Sequence, residues 1–228
     1  MGTAKRMMRS TGTTQGGVFI QRCDRWRFNR VTSRKYNGDG FSFQVCDDVV
    51  FEECRALGNA NLGFHPGSGS QRPRFIRCES RENGQGIFFC WGVSDGLAQD
   101  CVLSENRDYG VSIGHRGTDN ELRGCAIEDN HKVGILFREQ SDFRSGHRTT
   151  VRGCVIKGNG FTLDGAGVRG PVGELLFEGN TFDTGNGWQK VGIQVSAEAD
   201  PVTSTENVFV GLEADIVEAS ERKGEAVT

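Results

Sequence analysis

Proline is scarce in this sequence, with four residues in 228, which excludes a collagen-like or Pro-rich disordered chain. Positive charge is not in excess either. Lys and Arg number 27 against 30 Asp and Glu, giving a formal charge of −3 and a pI near 5.9. That balance supplies no electrostatic footing for nucleic acid or an anionic membrane surface. No apolar run reaches the about 18 residues of a membrane-spanning helix. The opening "MGTAKRMMRSTGTTQ" lacks the apolar core of a secretory leader. The eight cysteines include no C-x₂₋₄-C pair of the kind that zinc sites use.

Glycine, by contrast, is abundant, at 33 residues, about twice its usual ~7% share. Its placement is periodic. A glycine followed by alternating apolar residues recurs as "GVFI" at 17, "GFSF" at 40, "GFHP" at 63, "GIFF" at 86, "GVSI" at 110, "GILF" at 134, "GVRG" at 167 and "GIQV" at 192. The spacings are 23, 23, 23, 24, 24, 33 and 25, with one insertion between 134 and 167. Each unit carries further short runs such as "VVFEEC", "RFIRC" and "CVLSEN". Three short alternating segments separated by Gly, Asn and Asp turns predict a coil of three strands. One coil cannot bury its inner face alone, whereas stacked coils share a continuous core. The expectation is an all-β solenoid of about eight coils over 17–217, with a lead-in at 1–16 and a charged tail at 218–228.

Two columns follow the same period. Cys54, Cys78, Cys101, Cys125 and Cys154 occupy one point of successive units, with Asn180 and Asn207 continuing it. A stack of small buried thiols explains this pattern. Cys23 and Cys46 form a short second column, and Cys90 stands apart as the accessible candidate. Asn37, Asn83, Asn106, Asn130 and Asn159 mark a column at a turn, where Asn tolerates left-handed backbone and hydrogen-bonds along the stack.

The period, the Gly-Φ-x-Φ strands and the two ladders resemble the right-handed parallel β-helix superfamily, the pectate-lyase-like fold. The resemblance implies a polysaccharide or oligosaccharide partner, a monomer, and secretion or a periplasmic location. It also implies an N-terminal capping helix. None is visible in residues 1–16, so missing N-terminal coils are expected. Function is less specified, because the superfamily includes lyases, hydrolases, epimerases, tailspikes and non-catalytic proteins. The polygalacturonase set N-T-D, D-D, G-H-G and R-I-K is not reproduced: "GHRG" and Asp47–Asp48 are present, but the Asp pair lies far upstream and R-I-K is missing. The Y-G-[FI]-D-P-H pattern of mannuronan epimerases is also missing.

In Gly-Φ-x-Φ the second residue after Gly faces outward. The outward column therefore reads Phe19, Ser42, His65, Phe88, Ser112, Leu136, Arg169, Gln194. At the strand exit Trp91, His115 and Glu139 align, with Arg116 and Arg138 beside them. The candidate catalytic residues are His115, His65, Arg138, Arg116, Glu139 and Asp119. The candidate substrate-binding residues are Trp91, Phe88, Ser112, Arg169 and His147. The inserted segment adds Asp142, Arg144 and Arg148 as a wall, and three of the four histidines fall in this region. Proton abstraction beside a uronate carboxylate needs a base near neutral pKa and cations for the enolate-like charge. Hydrolysis instead needs two carboxylates across the bond, for which Asp119, Glu139 and Asp142 are available. The expected function is lyase or epimerase chemistry on an acidic polysaccharide, with hydrolysis or non-catalytic binding as alternatives. No cofactor is required by any motif. Asp24, Asp47 and Asp48 offer hard oxygens to Ca²⁺, though solvated turn carboxylates explain them better. His131, at the Asn turn, is assigned a structural role.

Overall fold

The computed structural model describes residues 16–138, 146–160, 164–168 and 173–218. Among them every regular element is a strand. The first sheet stacks nine strands, Val18–Gln21, Phe41–Gln44, Leu62–Pro66, Gln85–Phe89, Val111–Ile113, Ile135–Phe137, Asp164–Val168, Val191–Val195 and Ala214–Glu218. The second sheet runs from Arg27–Asn29 to Thr203–Thr205 and the third from Thr32–Arg34 to Val208–Val210, with eight strands each. Strands pair in parallel with their equivalents one coil on, as in Phe41↔Phe64 and Phe51↔Phe75. The result is a three-sided parallel β-helix of eight coils plus one closing strand.

The alternation sets which side chains enter the core. Phe41, Phe43, Phe64, Ile87, Phe89, Val111 and Ile113 are buried from the first sheet. Phe51, Phe75, Ala98 and Leu122 meet them from the second. Register turns this repetition into aromatic stacks. The Phe28 and Phe51 rings lie 4.7 Å apart, and Phe51 and Phe75 5.4 Å. Phe41 and Phe64 stack at 5.1 Å, and Phe41 meets Phe51 edge-on at 5.3 Å. Such pairs add about 0.5–1.5 kcal/mol beyond the area they bury.

The corner between the second and third sheets turns on one residue with left-handed backbone: Arg30, Glu53, Arg77, Asp100, Gly124, Gly153, Gly179 and Glu206 all have φ between 51° and 61°. The residue that follows points inward, and this is the cysteine column. Cys78, Cys101 and Cys125 donate from Sγ to the carbonyls of Phe51, Phe75 and Ala98 one coil back, at 3.3–3.4 Å. Asn180 replaces the thiol with a longer reach, accepting from the Cys154 N–H and donating to the Val151 carbonyl.

At the corner between the third and first sheets, Asn59, Asn83, Asn106, Asn130, Asn159 and Gln189 form a continuous amide ladder. Asn106 donates to Asn130 Oδ1 at 2.9 Å and Asn130 to Asn159 Oδ1 at 2.9 Å. Each oxygen also accepts the backbone N–H one coil earlier. The first step differs from the expected column: Tyr36, not Asn37, donates its N–H to Asn59 Oδ1. Asn37 lies one residue past the register.

The repeat glycines stand where coils approach most closely. A Cβ on Gly63 would lie 2.7 Å from the Gly86 carbonyl oxygen, and one on Gly86 would overlap the Gly110 carbonyl. The insertion shifts one of these positions. Ile135 pairs with Ala166 and Gly167 with Gln194, so Gly165 is the repeat glycine of that coil. Gly167 therefore takes the outward place that the sequence pattern assigns to Arg169.

These contacts distinguish two glycine substitutions. Gly153 has open space but φ of 60°, so Gly153→Ala costs about 1 kcal/mol. Gly86→Ala meets backbone that cannot yield, and is expected to cost about 3 kcal/mol. Urea unfolding of the two variants measures the difference.

Candidate functional site

The outward face of the first sheet carries polar and aromatic side chains in register, through Phe19↔Ser42, Ser42↔His65 and Phe88↔Ser112. Facing outward does not expose them. Ser42, His65 and Ser112 are buried, because their neighbours lie across the sheet over them. Asp39, just ahead of the glycine of its coil, is fully buried and organises the lower half. Its Oδ1 accepts from Asn61 Nδ2 at 2.8 Å and the Leu62 N–H at 3.1 Å, and its Oδ2 meets His65 Nδ1 at 2.8 Å. Ser42 Oγ lies 3.3 Å from the same ring nitrogen.

The His65 ring stacks on Phe88 at 5.8 Å and 12°. Arg138, two coils beyond Phe88, places its guanidinium carbon 4.2 Å from the phenyl centroid. Arg138 Nη2 donates to Gln85 Oε1 at 3.2 Å, and Ser112 Oγ donates to the same oxygen at 2.7 Å. Gly114 makes room for this stack, since a Cβ there would stand 3.0 Å from Phe88 Cε2.

Charge is distributed unevenly in this network. Burial lowers the pKa of His65, but the Asp39 hydrogen bond and the neighbouring Cys90 outweigh it and raise the value to about 9. His65 is therefore imidazolium at neutral pH. Burial lowers the pKa of Arg138, partly offset by Tyr109, Cys90 and Asp108. The Phe88 ring thus lies between two cations.

A second, more open group occupies the strand exit. Trp91 is 58% exposed, and its ring meets half-exposed His115 edge-on at 5.0 Å. The Gly92 N–H donates to the His115 carbonyl at 2.7 Å, which fixes the two turns together. Arg116 is exposed beside His115. Arg116 and Asp119 both hold left-handed turn backbone, with φ of 56° and 59°. Asp119 is gripped by Arg148 through two bonds of 2.6 and 2.8 Å. That guanidinium holds its carboxyl below the usual carboxylate range. The Asp119 N–H donates to the His147 carbonyl at 2.9 Å, so half-exposed His147 borders the same turn.

The structure thus unites His65, Phe88, Ser112 and Arg138 in one stack and Trp91, His115, Asp119 and His147 along one edge. Gly114 links the two, flanked by Ile113 and His115 and packed under Phe88. Glu139, Asp142, Arg144 and Arg169 lie outside the described residues. Asp39 and Gln85 are not among the sequence candidates, and Cys90 is distinguished there only by its accessibility. Asp39 and Gln85 share the position just before the repeat glycine, a column that the Gly-Φ-x-Φ pattern does not include. Asp47 and Asp48 bind Arg72 at 3.1 and 2.8 Å, and Asp24 accepts the Asp47 N–H. Among the described residues no group of three or more His, Cys, Asp and Glu is arranged to hold a metal ion. Exposed His131 lines a surface groove with Lys35, Gly58, Glu82, Glu105 and Arg107 along the amide-ladder corner.

A family model described as the right handed beta helix region matches residues 16–209. No curated protein matches the chain. Among solved structures, the A-module of the mannuronan C-5 epimerase AlgE4 of Azotobacter vinelandii aligns with TM-score 0.65 at 15% identity, over 86% of this chain and 64% of that one. An alginate lyase from Paenibacillus sp. str. FPU-7 aligns with TM-score 0.59 at 12% identity, over 81% of this chain and 76% of that one. The Streptococcus pneumoniae surface protein and adhesin PfbA aligns with TM-score 0.60 at 10% identity, over 89% of this chain and 68% of that one. The chain spans just under two thirds of the epimerase module. At these identities the likeness is one of fold.

The ordinary His pKa of 6.5 and the folded value of about 9 set a pH dependence. The folded protein holds the extra proton between these values, so this stabilisation is complete below about pH 6.5 and is lost as pH rises through 9. Its size is on the order of 3 kcal/mol. Urea unfolding at pH 6.5 and 9 is expected to show that decline, and Asp39→Asn to flatten it.

Proposed function

The chain belongs to the family of right-handed β-helix proteins, and from that premise we propose that it acts on an acidic polysaccharide by abstracting the proton beside a uronate carboxylate. The observation that carries this reading is the open pair of Trp91 and His115, with Arg116 next to His115 and the Arg138 backbone one coil on, bonded to Ile113. An exposed indole offers a stacking surface for a sugar ring. His115 is the base, placed where a proton can leave to solvent. The guanidinium groups neutralise the sugar carboxylate and the charge that develops on it as the proton departs. Arg138 is held over Phe88 and cannot swing freely, which preorganises it. His65 takes no direct part; it positions Phe88, and through Phe88 it positions Arg138.

From the same intermediate two outcomes are available. Loss of the glycosidic oxygen gives an unsaturated end and hence a lyase. Return of a proton from the opposite face gives an epimerase. Among the described residues hydrolysis fits less well, because it needs a carboxylic acid with raised pKa. Asp119 is held ionised by Arg148, and Asp39 is fully buried and hydrogen-bonded. Acidic-polysaccharide chemistry also agrees with the solved structures of similar fold, which include an alginate lyase and a mannuronan epimerase.

Incubation with a panel of uronate polymers distinguishes these outcomes. A lyase produces the ultraviolet absorbance of unsaturated ends, and an epimerase run in D₂O incorporates deuterium at C5. His115→Ala is expected to lower kcat by about 100-fold or more, as for removal of a general base. Trp91→Ala is expected to act mainly on KM. Polymer binding without either product, unchanged in His115→Ala, would refute the catalytic reading and leave a binding protein.

A further inference from the structure

Cys90 is the one cysteine that neither ladder explains. It follows the strand Gln85–Phe89 on the outward side and is partly exposed. Its backbone N–H donates to the Pro66 carbonyl at 3.1 Å, which places it diagonally across the sheet from His65. Cys90 contributes to the electrostatic environment of both His65 and Arg138. Along the stack it precedes Gly114, whose N–H bonds the Phe89 carbonyl, and Arg138, whose N–H bonds the Ile113 carbonyl. The glycine between makes room for the Phe88 ring, over which the Arg138 guanidinium lies.

Behind the thiol the groups are graded by depth. The Asp39 side chain is fully buried, that of His65 is 8% exposed, and Cys90 reaches the surface. Asp39 engages Nδ1 of the imidazole. The opposite nitrogen, Nε2, is buried and has no hydrogen-bond partner among the described residues. Burial without a partner is costly for such a group. Nucleophile, imidazole and orienting carboxylate are therefore met in the order that acyl transfer requires.

We propose that Cys90, His65 and Asp39 form a second chemical site, a nucleophilic thiol that takes the acyl group of a carboxylic ester. The Cys90 thiolate attacks the ester carbonyl carbon, forming a C–S bond. The C–O bond breaks, and the alcohol leaves with a proton from His65 Nε2. Water then adds to the thioester and returns a proton to Nε2, releasing the carboxylic acid and restoring the thiolate. Asp39 is a positioning residue, holding the ring with Nε2 toward the thiol. Arg138 faces the negative charge of the tetrahedral intermediate. This site shares only Arg138 with the uronate reading, in which neither Cys90 nor Asp39 acts and His65 is only a support.

The test is p-nitrophenyl acetate with the full chain, followed by nitrophenolate release and by mass spectrometry of the acetylated peptides. This ester carries no sugar, so its outcome is separate from that of the uronate assay. Cys23, the other partly exposed cysteine, is the internal comparator. A burst equal to one thiol per chain is expected, with acetyl on Cys90 at about tenfold the Cys23 rate or more, followed by turnover. His65→Gln and Cys90→Ser should each abolish the burst. Cys90→Ser alters a single atom outside the core, so its far-ultraviolet circular dichroism should match the parent even if His65→Gln fails to fold. Equal acetylation of Cys90 and Cys23, a burst that survives Cys90→Ser, or an acetyl group that never leaves Cys90 would each overturn the proposal.

Discussion

Backbone pairing between coils in one register is the constraint on which everything else rests. Each strand bonds to its equivalent one coil away, so a side chain always meets its counterpart 23 to 24 residues on in the regular part of the chain. Any property of one position is thereby multiplied into a column. Phenylalanines become stacks, thiols become a ladder that donates to carbonyls, and asparagine amides become a continuous hydrogen-bonded corner. The Asn ladder is the least replaceable of these, because each amide satisfies two backbone groups as well as its neighbour. Glycine is required where the coils come nearest, since the approaching group is a carbonyl and not a side chain that can move.

The same constraint builds the functional surface. Far apart along the chain, His65, Phe88 and Arg138 form in the stack an imidazolium, a phenyl ring and a guanidinium in succession. Asp39 supplies the counter-charge that lets an imidazolium be buried, and Phe88 offers its π face to the cations on either side. Arg138 is thereby held in one orientation over Phe88, with its guanidinium on Gln85. A buried charge network that supports an exposed aromatic and imidazole is a rigid base for a site, whichever chemistry uses it.

The coil, its three strands and the cysteine column were legible in the sequence because each depends on residue type repeated at a fixed period. Outward direction along the first sheet was legible for the same reason, and so was the contact between Trp91 and His115. The pattern failed where the period is broken. Across the insertion it chose Gly167 over Gly165, which moved the outward position onto Arg169. It also passed over Asn59 and chose Asn37 over Tyr36, because the first coil keeps the backbone bond without the amide. The pairing of Asp39 with His65 was not legible, because the position just before the repeat glycine changes residue type from coil to coil and shows no repeated signal.

What the sequence alone determined is the solenoid: a period near 23, a glycine at each close approach and alternating apolar residues leave few other ways to bury the core. What only the tertiary structure decided is the state of individual polar groups. It buries His65 on Asp39, pairs Asp119 with Arg148 and leaves Trp91 and His115 open. The physical reason is that repetition specifies where a side chain points, whereas its charge and exposure depend on single neighbours one or two coils away.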